Sequence, residues 1–377
     1  MKLHDSDEPV QAIIHDNGEF ESLAEEWADL LNRSKSACVF MRWEWHYTWW
    51  QVFAGNRDVL HIVTWRQQGR LVGLLPLYLS KSLFTGSGCL RFLGTGELQI
   101  DEVATEYCDL LADENVEDQV AHLAGHYLGS FSAWNCVELY CMVDTALLLN
   151  ILIAREDIFS LERSVGQRYR IPLNSNESCY LDGLASSRSK RIRRSQRAGN
   201  RDGGICAVPI SSISDFDRAF RELAELNHER QAHKQRKSVF ASSRFRHFHY
   251  ELCLRLHDSG AANIIRFQLN SRLIAVLYCF YDEQSCHYYQ SGFARKDANK
   301  YMPLTLAHLI EMQRNRDAGR SYYDLMRGKP PCYKDEFGCE TTPMGSLSLY
   351  KSSTRRALAV HYRALRAKVA ELVKRRP

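Results

Sequence analysis

The sequence predicts an α/β protein (α+β in its mixed strand directions) built from two copies of one unit, each a mixed β-sheet flanked by helices. Three observations predict this. The stretch HIVTWRQQGRLVGLLPLYL at 61–79 reads as two apolar strands around a Gly turn, and NIIRFQLNSRLIAVLYCFY at 263–281 repeats that pattern at a constant offset of 202 residues. Each hairpin is followed by the same series: a third strand (Arg91–Gly96 and His287–Gly292), a helix (117–128 and 303–318) and a fourth strand (134–141 and 321–326). Each is also preceded by two amphipathic helical stretches, Glu19–Asn32 with Trp43–Phe53 and Asp215–His233 with Arg244–His257. Strands gathered by helices in this order give a helix-covered mixed sheet.

The first helix opens on Ser22-Leu23-Ala24-Glu25, a capping-box pattern, and carries Leu23, Trp27, Leu30 and Leu31 at helical spacing. The aromatic run from Trp43 to Trp50 reads as a helix wedged between layers, with a ligand wall as the alternative. Within the hairpins only Ile62/Ile264, Arg70/Arg272, Leu71/Leu273 and Leu75/Leu277 are identical, yet alternation and turn stay in register throughout. The expected units are residues 1–165 and 166–350, followed by a basic C-terminal segment 351–377 with a helix over 355–374.

The chain has 377 residues, long enough for two such units, and 45% hydrophobic with 11% aromatic residues excludes a disordered chain. Its net charge of +4 hides an asymmetry. Residues 188–201 hold seven cations and no acid, and 355–377 hold eight cations against Glu371; together they carry +14, leaving −10 on the rest. No apolar run approaches the ~20 residues of a membrane span, and the acidic start has no signal-peptide core, so a cytoplasmic location is expected. The twelve cysteines contain no Cys-x-x-Cys and read as reduced core residues. His122 and His126 have helical i, i+4 spacing but no evident third ligand, so no metal is expected.

Walker A, G-x-G-x-x-G, G-x-S-x-G and kinase signatures are all missing, which removes sequence support for phosphoryl transfer, dinucleotide redox and serine hydrolysis. The informative stretch is 286–338, where a strand runs through Gly292 and a basic loop (Arg295, Lys296, Lys300) into a helix opening near Pro303. A helix N-terminus offers unpaired N–H groups and a positive dipole end to an anion; an ordinary surface loop is the alternative. The run Tyr288-Tyr289-Gln290-Ser291-Gly292-Phe293, the Pro303 helix, Tyr323-Asp324-Leu325-Met326-Arg327-Gly328 and Tyr333-Lys334 resembles the CelD/BcsL-type acyltransferases of the GNAT superfamily, which are related to the FemAB aminoacyl transferases. Leu71–Leu79, Leu90–Gly96, Tyr107–Leu111 and the basic run Ser189–Arg194 extend the resemblance over most of the chain.

The resemblance implies tandem GNAT-like domains and transfer of an acyl group from acyl-coenzyme A (acetyl-CoA) to an amine, without metal or covalent intermediate. It places the cofactor pyrophosphate at the loop from Phe293 to Pro303, with Tyr289, Gln290, Ser291, Gly292, Arg295, Lys296, Lys300 and Pro303 as cofactor-binding residues. The superfamily's Q/R-x-x-G-x-G/A loop is not recognisable in 294–299. Candidate bases are Asp324, at the end of a strand, and the His228-Glu229 pair; their bland alternatives are a structural carboxylate and a solvated helix face. Tyr333 is the candidate acid for the leaving thiolate, and Arg327, Lys334, Lys190 and Arg194 suit an anionic substrate. Arg230–Lys237 departs from the family pattern where an Arg-Trp pair and glycines are usual.

The leading function is an N-acyltransferase acting on a small amine or an envelope or exopolysaccharide precursor. The rivals are a FemAB-like transferase using aminoacyl-tRNA, and a non-catalytic module whose basic helices bind nucleic acid or an anionic membrane surface.

Overall fold

Alternating apolar runs from both halves join into one continuous sheet. The computed structural model describes residues 8–81, 88–131, 134–155 and 159–352, with positions 354 and 357; the expected helix over 355–374 lies outside the described residues. The N-terminal half runs β1 (Val10–Ile14), α1 (Asn17–Ser22), α2 (Ala24–Asn32), α3 (Trp43–Phe53), β2 (Asp58–Gln67), β3 (Arg70–Lys81), β4 (Gly88–Phe92), β5 (Leu111–Ala112), α4 (Glu117–Ser130), β6 (Trp134–Val143) and α5 (Leu147–Ile153). After β7 (Phe159–Pro172) follow α6 (Glu177–Gly183), α7 (Ser186–Arg201), β8 (Ile205–Pro209), α8 (Ile213–His233), α9 (Ser243–Leu256), β9 (Ala262–Leu269), β10 (Arg272–Tyr281), β11 (Ser285–Phe293), α10 (Ala298–Tyr301), α11 (Pro303–Asp317), β12 (Tyr322–Gly328) and β13 (Glu340–Tyr350).

The duplication is visible in the element order. The strand order is β1-β2-β3-β4-β6-β13-β7-β12-β11-β10-β9-β8, with β5 added beside β3. Read from either end it is the same series: antiparallel strands, one parallel pair (β4 with β6, β11 with β12), then an antiparallel last strand. Both hairpins turn on two residues with positive φ, Gln68 and Gly69 (51° and 79°) and Asn270 and Ser271 (50° and 61°). Two left-handed residues match the twist of the flanking strands, and this shared turn keeps the two hairpins in register.

The last strands are exchanged between the halves. β13, from the C-terminal half, pairs with β6, while β7 pairs with β12, and the two lie side by side at the centre. The expected unit boundary at 165/166 falls inside β7, where Gly166 (φ 136°) sits against the Gly328 carbonyl.

Helices cover both faces. On one face α4 and α5 cover the N-terminal half and α7 with α11 the C-terminal half, each over its own apolar cluster. On the other, α1–α3 and α8–α9 share a single cluster that spans both halves. Trp45 stands edge-on to Phe248 and to Phe280, each at 5.2 Å, so the aromatic run packs as core. The Ser242 hydroxyl donates to the Asp101 carboxylate at 2.5 Å, a buried polar tie between the halves. One local expectation is corrected. The first helix is capped by Asp16, whose carboxylate accepts from the N–H groups of Gly18 (2.7 Å) and Glu19 (3.2 Å), while Ser22 donates back to the Glu19 carbonyl (2.9 Å) and α2 starts without a side-chain cap. No helix among the described residues is long and apolar enough to cross a membrane.

Because β6 has β13 as its outer neighbour, a fragment of residues 1–155 exposes an unpaired central strand. We expect this fragment to lack a cooperative unfolding transition in urea; a cooperative transition comparable with that of the whole chain would contradict the exchanged-strand arrangement.

Candidate active site

The parallel strands β11 and β12 pair only from Ser285 to His287 against Tyr322 to Asp324. Beyond that they diverge, and each carries an irregularity there. Tyr289 is an extra residue against β10, and Leu325 is extra against β7, with Met326 at φ 63°. Bulges bend and twist a strand, and this pair opens a fork in the sheet.

A chain of alternating charge fills the vertex. Asp324, fully buried, accepts from Arg168 Nε at 2.7 Å, from the Tyr107 hydroxyl at 3.1 Å and from the Met326 N–H at 2.6 Å. His287 Nδ1 lies 3.3 Å from the same carboxylate, and its Nε2 lies 2.6 Å from Asp282. Burial opposes the charge on His287, but the two carboxylates outweigh it and lift its pKa to about 9. For Asp324 burial is likewise outweighed, by Arg168, His287 and the Met326 N–H, which hold it well below the usual carboxylate range. Two cations thus alternate with two anions. Arg168 comes from β7 and also stacks over the Tyr107 ring at 4.1 Å, so residues of both halves meet here.

The open arm carries a second polar chain. The Tyr288 and Ser291 hydroxyls are 2.6 Å apart, Arg230 Nη1 donates to Ser291 Oγ at 3.3 Å, and the Tyr333 hydroxyl hydrogen-bonds to Tyr288. Tyr333 is 43% exposed as a residue, yet burial at its hydroxyl end pushes the phenol pKa well above the usual value and keeps it protonated. His308 stands edge-on to Tyr288 at 4.5 Å; its Nδ1 contacts the Tyr323 hydroxyl at 2.8 Å, while its Nε2 is buried without a hydrogen-bond partner. Burial first, then nearby cations, depress its pKa to about 3, so the ring is neutral.

The expected site residues divide into three groups. Tyr333 and Ser291 come together, with Gln290 nearby accepting from Asn227 Nδ2 at 3.4 Å. Arg295 and Lys296 stand exposed on the loop after β11, and Lys190 and Arg194 point outward from α7; His228 and Glu229 are exposed near the end of α8. The others are engaged elsewhere. Asp324 accepts three hydrogen bonds at depressed pKa, which suits a positioning residue and makes it a poor base. Tyr289 faces the shared core, donating to the Val103 carbonyl (2.7 Å) and meeting His249 (2.9 Å), away from the hydroxyl chain of Tyr288 and Ser291. Arg327 is held by Glu106 and by the Tyr140 hydroxyl, and Lys334 Nζ is buried on the carbonyls of Met326 (3.2 Å) and Arg327 (2.5 Å). Neither presents its charge to a substrate in this arrangement. Lys300 pairs with Asp202 at 2.6 Å, and Pro303 is the buried first residue of α11. Gly292 serves packing, because a Cβ there would lie 2.4 Å from Leu226 Cβ and 2.9 Å from the Asn227 nitrogen of α8.

Arg168, Tyr107, His287, Tyr288 and Arg230 were not among the expected functional residues. His287 and Tyr288 lie in the informative stretch, and Arg230 opens the stretch that departs from the family pattern; Arg168 gives no local signal, since it reaches the site only through strand exchange. In the N-terminal half the register partners Arg91 and Glu138 form the equivalent pair at 2.8 Å, beside a cavity of about 510 Å³.

Residues 186–335 match the family model described as acetyltransferase (GNAT) domain, so a GNAT-type domain occupies that span. No curated protein matches the chain in sequence. Among solved structures the chain is similar to FemX, at 9% identity over 89% of this chain and 96% of that one with a TM-score of 0.59. It is also similar to the C-terminal (DUF2156) domain of a putative lysylphosphatidylglycerol synthetase from Agrobacterium fabrum, at 14% identity over 92% and 95% of the chains with a TM-score of 0.52. L-PGS from Bacillus licheniformis shows 11% identity over 93% and 97%, also at 0.52. At these identities the likeness concerns the fold.

The vertex predicts a pH dependence. A His pKa lifted from 6.5 to about 9 contributes stability that is complete below pH 6.5 and lost as pH rises through 9, on the order of 3 kcal/mol for a fully buried group. Asp324, with a lowered pKa, contributes above about pH 4 and loses its share as acid protonates it. Urea unfolding at pH 6 and pH 9.5 should show this alkaline loss in the native chain and a flatter profile in His287→Asn; equal slopes would refute a charged His287. Gly292→Ala should cost about 1–3 kcal/mol by overpacking α8 against β11, read from the same melts.

Proposed function

We propose that this chain is an N-acyltransferase that moves an acyl group from an acyl-coenzyme A thioester to an amine, with the fork between β11 and β12 as the reaction site. The observation that carries this reading is a split parallel strand pair, inside the span matching the GNAT model, with a protonated tyrosine linked through hydroxyls to an arginine along its open arm. Beyond the vertex such a fork leaves β11 and β12 without each other as hydrogen-bonding partners, and a thioester arm inserted there would pair with those backbone groups.

In this reading the amine attacks the thioester carbonyl carbon, the C–N bond forms, and collapse of the tetrahedral intermediate breaks the C–S bond. The Tyr333 hydroxyl supplies the proton to the departing thiolate, and Tyr288 and Ser291 return one to it. Arg230, at the end of this chain, favours negative charge along it. His228 and Glu229, in the same last turns of α8, are the solvent-facing groups suited to take the amine's proton. Exposed Arg295 and Lys296 suit the donor's phosphates, and Lys190 and Arg194 an anionic part of either substrate. The vertex fixes the fork's shape, with Asp324 acting through position. The acceptor is the amine of a small molecule or of an envelope or exopolysaccharide precursor, and the setting is cytoplasmic.

One observation favours a second reading. Lys190, Arg191, Arg194, Arg197 and Arg201 all stand exposed on α7, while its buried face is the small set Ser189, Ile192, Ser195 and Gly199. A helix edge of five cations beside the fork suits a polyanionic donor such as aminoacyl-tRNA. A non-catalytic anion-binding module has no feature that requires the buried hydroxyl chain.

Tyr333→Phe should lower kcat by about 10²–10⁴ while leaving the melting temperature unchanged, measured by thiol release from acetyl-CoA with a panel of amines. Thermal stabilisation by millimolar acetyl-CoA supports the thioester reading, and its absence together with salt-dependent tRNA binding lost on neutralising α7 supports the second. Equal losses of activity and stability in Tyr333→Phe would make Tyr333 a packing residue.

A further inference from the structure

The parallel pair of the N-terminal half carries two cysteines in register, Cys89 on β4 facing Cys136 on β6. Their Sγ atoms are 2.6 Å apart. Neighbouring strands run about 4.8 Å apart, and disulfides bridge Cα atoms separated by about 4.4–6.8 Å, so residues paired in this way can be linked without moving the backbone. The reduced contact is itself tight, and closing it requires only side-chain rotation.

Register and access together mark this pair: Cys332 and Cys339 are likewise partly exposed but do not face one another across paired strands. Cys89 and Cys136 are both partly exposed. Arg91 and Glu138, two residues on in the same strands and therefore on the same sheet face, line the cavity of about 510 Å³. Cys279 and Cys286 also contact one another, but both are fully buried among the strands β10 and β11. Cys179 and Cys206 are exposed singly, on α6 and β8.

We propose that Cys89 and Cys136 form a peroxide-oxidisable pair that closes a reversible inter-strand disulfide at the fork of the N-terminal half. One sulfur attacks a hydroperoxide oxygen: an S–O bond forms, the O–O bond breaks, and water (or an alcohol) leaves. The second sulfur attacks the resulting sulfenic acid; the S–S bond forms, the S–O bond breaks, and a second water leaves. Two thiols are oxidised by one peroxide, and a dithiol reductant reverses the change. The bond ties β4 to β6 immediately before the Arg91–Glu138 pair and so holds the cavity wall at the point where the strands part.

Glu138 also stands within reach of both sulfurs, in a spacing that could serve a metal ion. Two observations favour the disulfide. The carboxylate is already spent on Arg91, which donates to one oxygen from Nε (3.0 Å) and Nη2 (2.8 Å), and the sulfurs are too close together for two ~2.3 Å zinc–thiolate bonds in tetrahedral geometry.

The test uses the full chain, reduced and then exposed to equimolar hydrogen peroxide, alkylated and mapped by peptide mass spectrometry. The expected result is loss of two alkylatable thiols, recovery of a peptide pair joined through Cys89 and Cys136, and full reversal by dithiothreitol. Cys89→Ser and Cys136→Ser should each abolish the joined pair without changing the melting temperature of the reduced chain. Oxidation confined to Cys179 or Cys206, alkylation of both Cys89 and Cys136 after peroxide, or zinc that copurifies and is lost in Cys89→Ser would each overturn the assignment.

Discussion

The arrangement of this molecule depends on one buried row of charges, Asp282, His287, Asp324 and Arg168, sealed beneath Phe40 and Tyr107. Removing charges from water costs several kcal/mol per ion, and mutual attraction offsets this only where geometry is good and remaining lone pairs are satisfied. Here each anion sits among cations or N–H donors, His287 stands between two carboxylates, and Arg168 between Asp324 and the face of Tyr107. Arg168 and Tyr107 belong to the first 172 residues, Asp282, His287 and Asp324 to the last hundred. The row therefore closes only when both halves are docked. It also sits where β11 and β12 part, so the docking of the halves and the opening of the fork are set by the same atoms.

Much of the architecture was legible in the sequence because it follows from local periodicity. The two hairpins, the aromatic helix, the helices α8 and α9 and the order of elements all rest on patterns within twenty residues. What was not legible depends on distant pairing. Nothing near Arg168 signals that it belongs to the second half's site, because only the pairing of β7 with β12 brings it there. Asp324 reads as an acid at a strand end, a base or a structural carboxylate, and it is the pairing with Arg168 and the arrival of Tyr107 that decide for the second. Tyr289 and Ser291 are two residues apart and look alike as candidates; the extra residue in β11 sends the first into the shared core and leaves the second in the hydroxyl chain. Gly292 invited a reading as a ligand-contacting glycine, yet its missing side chain is what lets α8 approach.

The two forks have diverged in opposite directions from one plan. In the N-terminal half the cross-strand pair is Arg91 and Glu138, partly exposed and bordering a cavity. In the C-terminal half the positions are His287 and Asp324, with no exposed surface, and neighbouring groups of the other half occupy the space. The sheet geometry is shared, while the chemistry at the vertex is set by which loops lie over it: residues of the 94–105 stretch line the cavity at the first fork, and Tyr107 continues across to pack on the vertex of the second.

The exchange of last strands has a consequence for biosynthesis. A ribosome delivers the N-terminal half first, and domains ordinarily fold in that order as they emerge. Here β6 finds its outer partner only in β13, whose paired residues lie about two hundred positions further along the chain. The first half must therefore wait, its central strand edge uncovered, until translation has passed residue 350. During that interval the uncovered edge is a template for pairing with other chains.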